Sequence, residues 1–343
     1  MGLVMIFSAT YDATTEQVGS QFYRQLGALL IGLVALVASL MVDYRTIVSR
    51  SLLIYGGLTA CLVFTLWFGI ERGGAQRWID LGPVNLQPSE FARIAVTLVL
   101  AFIFARDHRG PRRFSDWLIG VVVVGVPALL IARQPDLGTA VTLFPVCVVI
   151  MLFAGLRLRV VAVIAVMAVL AAPIVWAYGM EDYQKTRVAS FLDPEKDPRG
   201  AGYQQIQARI TVGSGGLTGK GFLQGTQSQY DFLPVAHNDF IFSVLAEEQG
   251  FIGVLFALGL YLFVVLRSLE AARLSKDRIG QYLVVGVLAG FAFQVIYNVT
   301  MSVGLAPVKG LPLPLMSYGG SSVIATLIGF GLILNVRMRR FTN

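Results

Sequence analysis

Long apolar blocks broken by short polar joints set the pattern of this chain. A helix needs about 20 apolar residues to cross a bilayer, and nine runs satisfy that reach, some with flanking residues added: 26–42, 52–70, 91–105, 117–132, 139–156, 160–178, 240–265, 282–303 and 323–334. The opening residues 1–9 are apolar but too short to span. They carry no basic flank and no small-residue cleavage site, which argues against a signal peptide. They read as the outer end of a tenth span whose beginning is missing. The pattern therefore predicts an all-α, polytopic membrane helix bundle of about ten transmembrane helices, the first truncated. It forms a single integral membrane domain over 1–343, with one large extracellular loop, 180–238, between the seventh and eighth helices.

Composition agrees. Of 343 residues, 56% are hydrophobic and 14% charged, whereas roughly a quarter of residues are charged in soluble domains. Cys61 and Cys147 both lie in apolar runs, and His108 and His237 are the only histidines, which disfavours a zinc site or an external disulfide framework. The net charge of +7 does not mark a nucleic-acid surface, because the basic residues are scattered between apolar blocks. Membrane topology accounts for them. With residues 1–9 running outward, the inside joints hold Arg45, Arg50, Arg106, Arg109, Arg112, Arg113, Arg157, Arg159, Arg267, Arg273, Lys276, Arg278, Arg337, Arg339 and Arg340. The short outside joints hold only Arg24, Arg72, Arg77, Arg133 and Lys309, so fifteen face five and the positive-inside rule fixes the orientation.

Loops beyond about 15 residues are uncommon unless they work, and 180–238 far exceeds that length. Asp193 to Gly200 reads as turns, 203–212 has helical character, and 213–221 reads as a flexible glycine-rich stretch. The run GSGGLTGKG tempts a phosphate-loop assignment, but Ser214 stands where the first glycine belongs and Gly221 where Ser or Thr belongs, and no strand precedes it. A mobile turn held against the membrane is the reading retained.

In this topology four spans enter from outside behind polar mouths: Gln87-Pro-Ser-Glu90, Gln134-Pro-Asp136, His237-Asn-Asp239 and Ser317-Tyr-Gly-Gly-Ser-Ser322. Capping of first-turn amides alone would explain any one of them. Four at one depth also make a cluster of positive helix ends suited to phosphate. Glu90, Asp136 and Asp239 are costly there unless they face a water-filled cavity, so a functional site is the default for intramembrane acids. Arg93 either pairs with one of these acids or meets an anionic substrate. Glu247, eight residues beyond Asp239, shares its side of the helix; Glu248 does not. Trp78 on an outer loop is an interfacial anchor or a sugar-stacking platform.

The blocks GAQRWIDLG with QPSEFARIA, QPDLGTA, GSGGLTGKGFLQGTQSQ, FLPVAHNDFIFSVLAEEQGF and GLPLPLMSYGGSS cover most of the chain. In that order they resemble the SEDS family (shape, elongation, division and sporulation), and most of all its elongation branch. Asn238 stands where the family usually has Thr, Arg93 where Lys is common, and Lys309 is closer to division members. The resemblance implies a peptidoglycan glycosyltransferase in the bacterial cytoplasmic membrane that polymerises lipid II at the outer face, partnered by a class B penicillin-binding protein. It also implies that Asp239 is the essential carboxylate, that Glu90, Arg93 and Asp136 line a substrate-binding cavity, and that Trp78, Ser317 and Lys309 belong to the substrate-binding set.

The implied chemistry needs a base for the attacking sugar hydroxyl, which a carboxylate can supply, and positive charge on the departing pyrophosphate. Arg93 and helix N-termini would supply that charge. Mg²⁺ or Mn²⁺ held by carboxylates and phosphate oxygens would do the same, though no motif calls for either. Two rivals stand beside this reading. One is a lipid II transporter, since intramembrane charges equally mark substrate pathways. The other is a non-catalytic scaffold that activates the penicillin-binding protein.

Overall fold

The computed structural model describes residues 1–12, 17–72, 75–80, 85–106, 114–197, 200–230 and 232–341. His108, Arg109, Arg112 and Arg113, used above for composition and orientation, and the turn residues Pro198 and Arg199 lie outside the described residues. Fourteen α-helices form among those described: α1 Gly2–Thr10, α2 Ser20–Met41, α3 Tyr44–Ser49, α4 Ser51–Phe68, α5 Pro88–Ala105, α6 Phe114–Arg133, α7 Leu137–Phe153, α8 Leu158–Ile174, α9 Asp182–Leu192, α10 Ala201–Ser214, α11 Thr226–Gln229, α12 Ile241–Arg273, α13 Arg278–Ser302 and α14 Gly320–Met338. All nine apolar runs become helices. Seven (α2, α4, α5, α6, α12, α13 and α14) are long and apolar enough to cross a membrane, while α7 and α8 are shorter.

The chain divides into two compact units. The first comprises Met1–Phe22, Leu156–Leu260 and Val295–Tyr318; the second comprises Tyr23–Gly155, Tyr261–Gln294 and Gly319–Asn343.

In the second unit α5 is central, packing on α4, α6, α7 and α14. Its span is largely buried, unlike those of α2 and α4, which turn most of their apolar surface outward. Gly286 lets α13 approach Thr97 of α5 and Ile150 of α7 so closely that a Cβ would collide with both. Small residues at such crossings are how membrane helices gain contact area. A two-residue antiparallel pair, β1 Tyr11–Asp12 with β2 Gln17–Val18, follows α1 in the chain, and between α4 and α5 lies a small antiparallel sheet, β3 Ile70–Arg72, β4 Ala75–Asp80 and β5 Asn85–Leu86, in the order β3-β4-β5 with Ile70 opposite Trp78. At one end of this unit Asn335 of α14, itself buried, donates to the carbonyls of Ser39 (2.7 Å) and Val42 (2.6 Å), which α2 leaves without intrahelical partners. Beside it Asp277 accepts from Arg45 Nε at 2.7 Å, Tyr44 Oη at 2.8 Å and Gly280 N at 2.8 Å.

The first unit contains α1, α8 to α11 and the start of α12. Two expectations change here. Residues 240–265 do not form one uninterrupted helix: Gly250 has φ 63° and ψ −166°, which breaks α12 in two. Ile241–Glu248 are buried without exception, while Phe251, Ile252, Leu255 and Phe256 beyond the break are exposed in the manner of a lipid-facing helix. Nor is the glycine-rich stretch a loose turn. Lys220 N and Gly221 N donate to the carbonyls of Glu247 (2.9 Å) and Glu248 (3.0 Å), and Phe251 N and Ile252 N donate to Gly216 O (2.9 Å) and Leu217 O (3.1 Å). In an unbroken helix Phe251 N and Ile252 N would have bonded those same two glutamate carbonyls. The loop has been inserted into the ladder, satisfying all four groups that the break sets free.

Candidate active site

Asp239 closes a tight turn just before α12. Asn238 N and Asp239 N both donate to Val235 O, at 3.0 and 3.3 Å. Asn298 of α13, fully buried, donates from one amide nitrogen to Asp239 O (2.9 Å) and Leu311 O (2.8 Å), tying the turn to the segment after α13. That segment brings Gly310 alongside the carboxylate: a Cβ there would stand 3.6 Å from Asp239 Oδ2. With φ 65°, Gly310 adopts a backbone that disfavours any other residue.

Lys309, next in the chain to Gly310, is half-buried. Burial pushes its ammonium below the usual lysine range, and the charge of Arg187 in α9 pushes it further the same way. Among the described residues neither cation has an acid within ion-pairing distance. Two repelling cations at one place favour an anion. His237 packs edge-on against the Tyr318 ring at 5.8 Å, and Tyr318 N donates to His237 O at 2.9 Å. Burial lowers the His237 imidazole, favouring its neutral form at neutral pH. Ser317 is buried, and its hydroxyl accepts from Leu313 N at 2.8 Å, closing a turn in the same segment. The first unit thus gathers Asp239, Lys309 and Ser317.

The second unit gathers the rest. Gln87, at the mouth of α5, donates to Asp136 Oδ2 (3.0 Å) at the mouth of α7, and its backbone N donates to Ser321 Oγ (2.9 Å) in the first turn of α14. Three of the four polar mouths found in the sequence therefore meet within this unit. Asp136 caps α7 through Thr139 N (3.2 Å) and also receives Thr139 Oγ1 (2.9 Å) and Arg77 Nη1 (3.3 Å). Glu90 and Arg93 pair at 2.8 Å, and Arg93 also bonds the buried Gln294 of α13. Capping thus accounts for Asp136, and pairing with an internal acid for Arg93. A small pocket opens against Glu90 and Arg93, walled by Val287, Phe291, Thr326 and Phe330. Trp78, on β4 beside Arg77, is half-buried.

Sequence reading missed Arg187 and Asn298, and it named Gln87 and Arg77 without tying either to Asp136. Each acts through a partner dozens of residues away, and no local pattern marks that. Glu247 and Glu248 are both buried. The first meets Lys220 and the second accepts a hydrogen bond from Ser8 Oγ of α1. Among the described residues no group of three or more His, Cys, Asp or Glu side chains is placed to hold a metal ion.

Comparison with known proteins supplies the context. The chain is 40% identical over 339 residues to the peptidoglycan glycosyltransferase MrdB of Escherichia coli K12, covering 98% of this chain and 91% of that protein. It is 36% identical to the probable peptidoglycan glycosyltransferase FtsW of Geobacter metallireducens (98% and 91% covered) and 32% identical to the peptidoglycan glycosyltransferase RodA of Treponema pallidum (99% and 95% covered). Among solved structures, a chain of a peptidoglycan synthase complex studied for the coordination of polymerization and crosslinking superposes with a TM-score of 0.86 at 32% identity, covering 99% of this chain and 96% of that one. The rod shape determining protein RodA of Thermus thermophilus superposes with a TM-score of 0.73 at 30% identity, covering 100% and 93%. The cell cycle protein model for FtsW, RodA and SpoVE matches residues 1–341, so this multi-pass membrane protein belongs to the FtsW/RodA/SpoVE family.

Proposed function

We propose that this protein is a peptidoglycan glycosyltransferase that polymerises lipid II at the outer face of the bacterial cytoplasmic membrane during elongation. The observation that carries the chemistry is local. Asp239 presents a carboxylate from a braced turn, with the bare backbone of Gly310 beside it and the cationic Lys309 one residue before that glycine. A sugar hydroxyl of one lipid-linked disaccharide attacks the anomeric carbon of another. As the new carbon–oxygen bond forms, Asp239 takes the hydroxyl proton, and the bond to undecaprenyl pyrophosphate breaks with its electron pair leaving on the phosphate oxygen. An α-linked donor becomes a β-linked product, so the displacement inverts. General-base catalysis of this kind contributes about 10²- to 10⁴-fold.

Lys309 compensates the developing pyrophosphate charge, as preorganised cations do. Glu90, Arg93, Asp136, Trp78 and Ser317 complete the proposed substrate-binding set, Ser317 by shaping the segment that carries Lys309. The charge compensation is drawn from side-chain cations, because the carboxylates of Glu90 and Asp136 already have cationic partners. A class B penicillin-binding protein is the proposed partner, consistent with the complex that the chain superposes on.

Asp239→Asn tests the assignment. It keeps size and hydrogen bonding and removes the base, so the purified variant should insert and fold normally yet polymerise lipid II in detergent at least about 100-fold more slowly. Long glycan strands made at the wild-type rate would remove Asp239 from the chemistry. Polymer formation in detergent also separates an enzyme from a transporter, because detergent leaves no two sides to transport between.

A further inference from the structure

The glycine-rich segment inserted into α12 is clamped by an ion pair, its acid buried and its lysine half-buried, that the catalytic proposal leaves unused. Glu247 is fully buried, and its Oε1 accepts from Lys220 Nζ (2.6 Å), Gln227 N (3.0 Å), Thr226 Oγ1 (3.2 Å) and Ser214 Oγ (3.4 Å). Lys220 grips the same residue twice, since its backbone N also donates to Glu247 O. Three glycines permit the approach. A Cβ on Gly215 would overlap Ala246 O, one on Gly219 would overlap Glu248 O, and one on Gly250 would overlap Gly219 N. The element fixed in this way is the buried half-helix from Ile241 to Gln249, which Asp239 precedes by two residues.

An ion pair of this kind is a poor source of stability. Desolvating two charges costs about as much as their attraction returns, and an apolar or neutral pair of similar shape often serves the fold as well. What it does supply is a defined geometry. We propose, resting on the reading of Asp239 as the base, that Lys220 and Glu247 are positioning residues. By locking the inserted loop to the half-helix they hold the Asp239 carboxylate at the distance and angle that proton transfer requires. Misplacing a catalytic group by about 1 Å can cost 100-fold in rate while leaving substrate binding nearly intact.

The test uses the full chain purified in detergent with lipid II, alone and with a class B penicillin-binding protein. Lys220→Met leaves the buried Glu247 carboxylate without its cation, Glu247→Gln leaves the half-buried Lys220 ammonium without its acid, and both should lower the melting temperature. The double variant Lys220→Met/Glu247→Gln should melt within about 2 °C of wild type, because a neutral pair can replace an ionic one. Its kcat should nonetheless stay at least about tenfold down with KM changed less than about threefold, the signature of a lost transition-state interaction. Lys220→Arg, which keeps the pair, should retain most of the activity. If the double variant recovers kcat together with its melting temperature, the pair is only structural and the proposal is overturned. Glu247→Asp gives a second arm should the double variant fail to fold. It keeps the charge and withdraws the carboxylate by one methylene, and a wild-type kcat there overturns the proposal by itself. Asp239→Asn runs in parallel: wild-type polymerisation by that variant refutes the base, whereas its inactivity beside fully active latch variants refutes only the latch.

Discussion

Lys309 carries the most direct pH signature in the protein. Burial is the larger cause of its lowered ammonium pKa and Arg187 the smaller, so the free protein gives up that proton earlier than an exposed lysine would. A pyrophosphate bound there favours the charged form. The apparent KM for lipid II should therefore stay flat below the lowered pKa and climb as pH rises through it, because the anion then meets a neutral amine. Lys309→Gln should raise KM about tenfold, as the loss of one charge-assisted contact does, and should abolish that alkaline rise. Stability moves with the opposite sign. The unfolded chain binds more protons at this site than the folded one between the two pKa values, so stability increases with pH across that window, and Lys309→Met should flatten the increase in melting experiments. A titration in which KM shows no alkaline limb would exclude Lys309 from anion binding. Lys309 could be read from its motif; Arg187 could not, because nothing near it in sequence signals a partner more than 100 residues further along.

At the scale of elements, apolar run length was a reliable guide and local breaks were not. Each of the nine runs is helical because hydrocarbon leaves backbone groups no partner outside the segment. Gly250 looked like one more glycine in a helix. The residues that satisfy its broken rung lie some 30 positions earlier, in a stretch whose glycines resemble a flexible linker until their close approaches are seen. The sheet β3-β4-β5 was equally illegible, its strands being too short to show alternation. Side-chain caps between helices follow the same logic. Asn335 serves α2 from α14, and Asn335→Leu would leave the carbonyls of Ser39 and Val42 buried without donors at a cost of about 2–3 kcal/mol, read as a fall in melting temperature in detergent. Nearby Asp277 would have its carboxyl raised by burial, but bonds from Gly280 N, Arg45 and Tyr44 outweigh that and hold it below the usual carboxylate range. Tyr44, buried and donating to Asp277, is pushed up to about 12. The Asp277 contribution is present above the unfolded carboxylate pKa and lost as pH falls through the folded one. That of Tyr44 is present below the unfolded phenol pKa and lost as pH rises toward 12. Asp277→Asn should remove the acid limb and cost about 1 kcal/mol, the partners being partly exposed.

Whole-molecule orientation decides whether Asp239 can meet a substrate that is delivered outside. By the positive-inside rule the fifteen-to-five distribution of Lys and Arg predicts that the joint after α12 lies inside and that residues 180–238, which run directly into Asp239, lie outside. That loop is long, and long loops translocate largely regardless of their charge, so its own basic residues do not oppose the assignment. The chain's cysteines make the orientation measurable. Cys147 is buried and Cys61 is exposed on an apolar helix, so a Cys61→Ser/Cys147→Ala background gives a clean start. Lys196 side-chain exposure is 82%, and its ion pair with Asp193 lies at the surface, where such pairs add little to stability; Lys196→Cys should therefore fold normally. In right-side-out vesicles a membrane-impermeant maleimide should label this variant, while Lys276→Cys, in the exposed joint between α12 and α13, should react only after permeabilisation. The reverse pattern would turn Asp239 toward the cytoplasm. Polymerisation of lipid II at the outer face would then be impossible for this residue, however well its carboxylate is held.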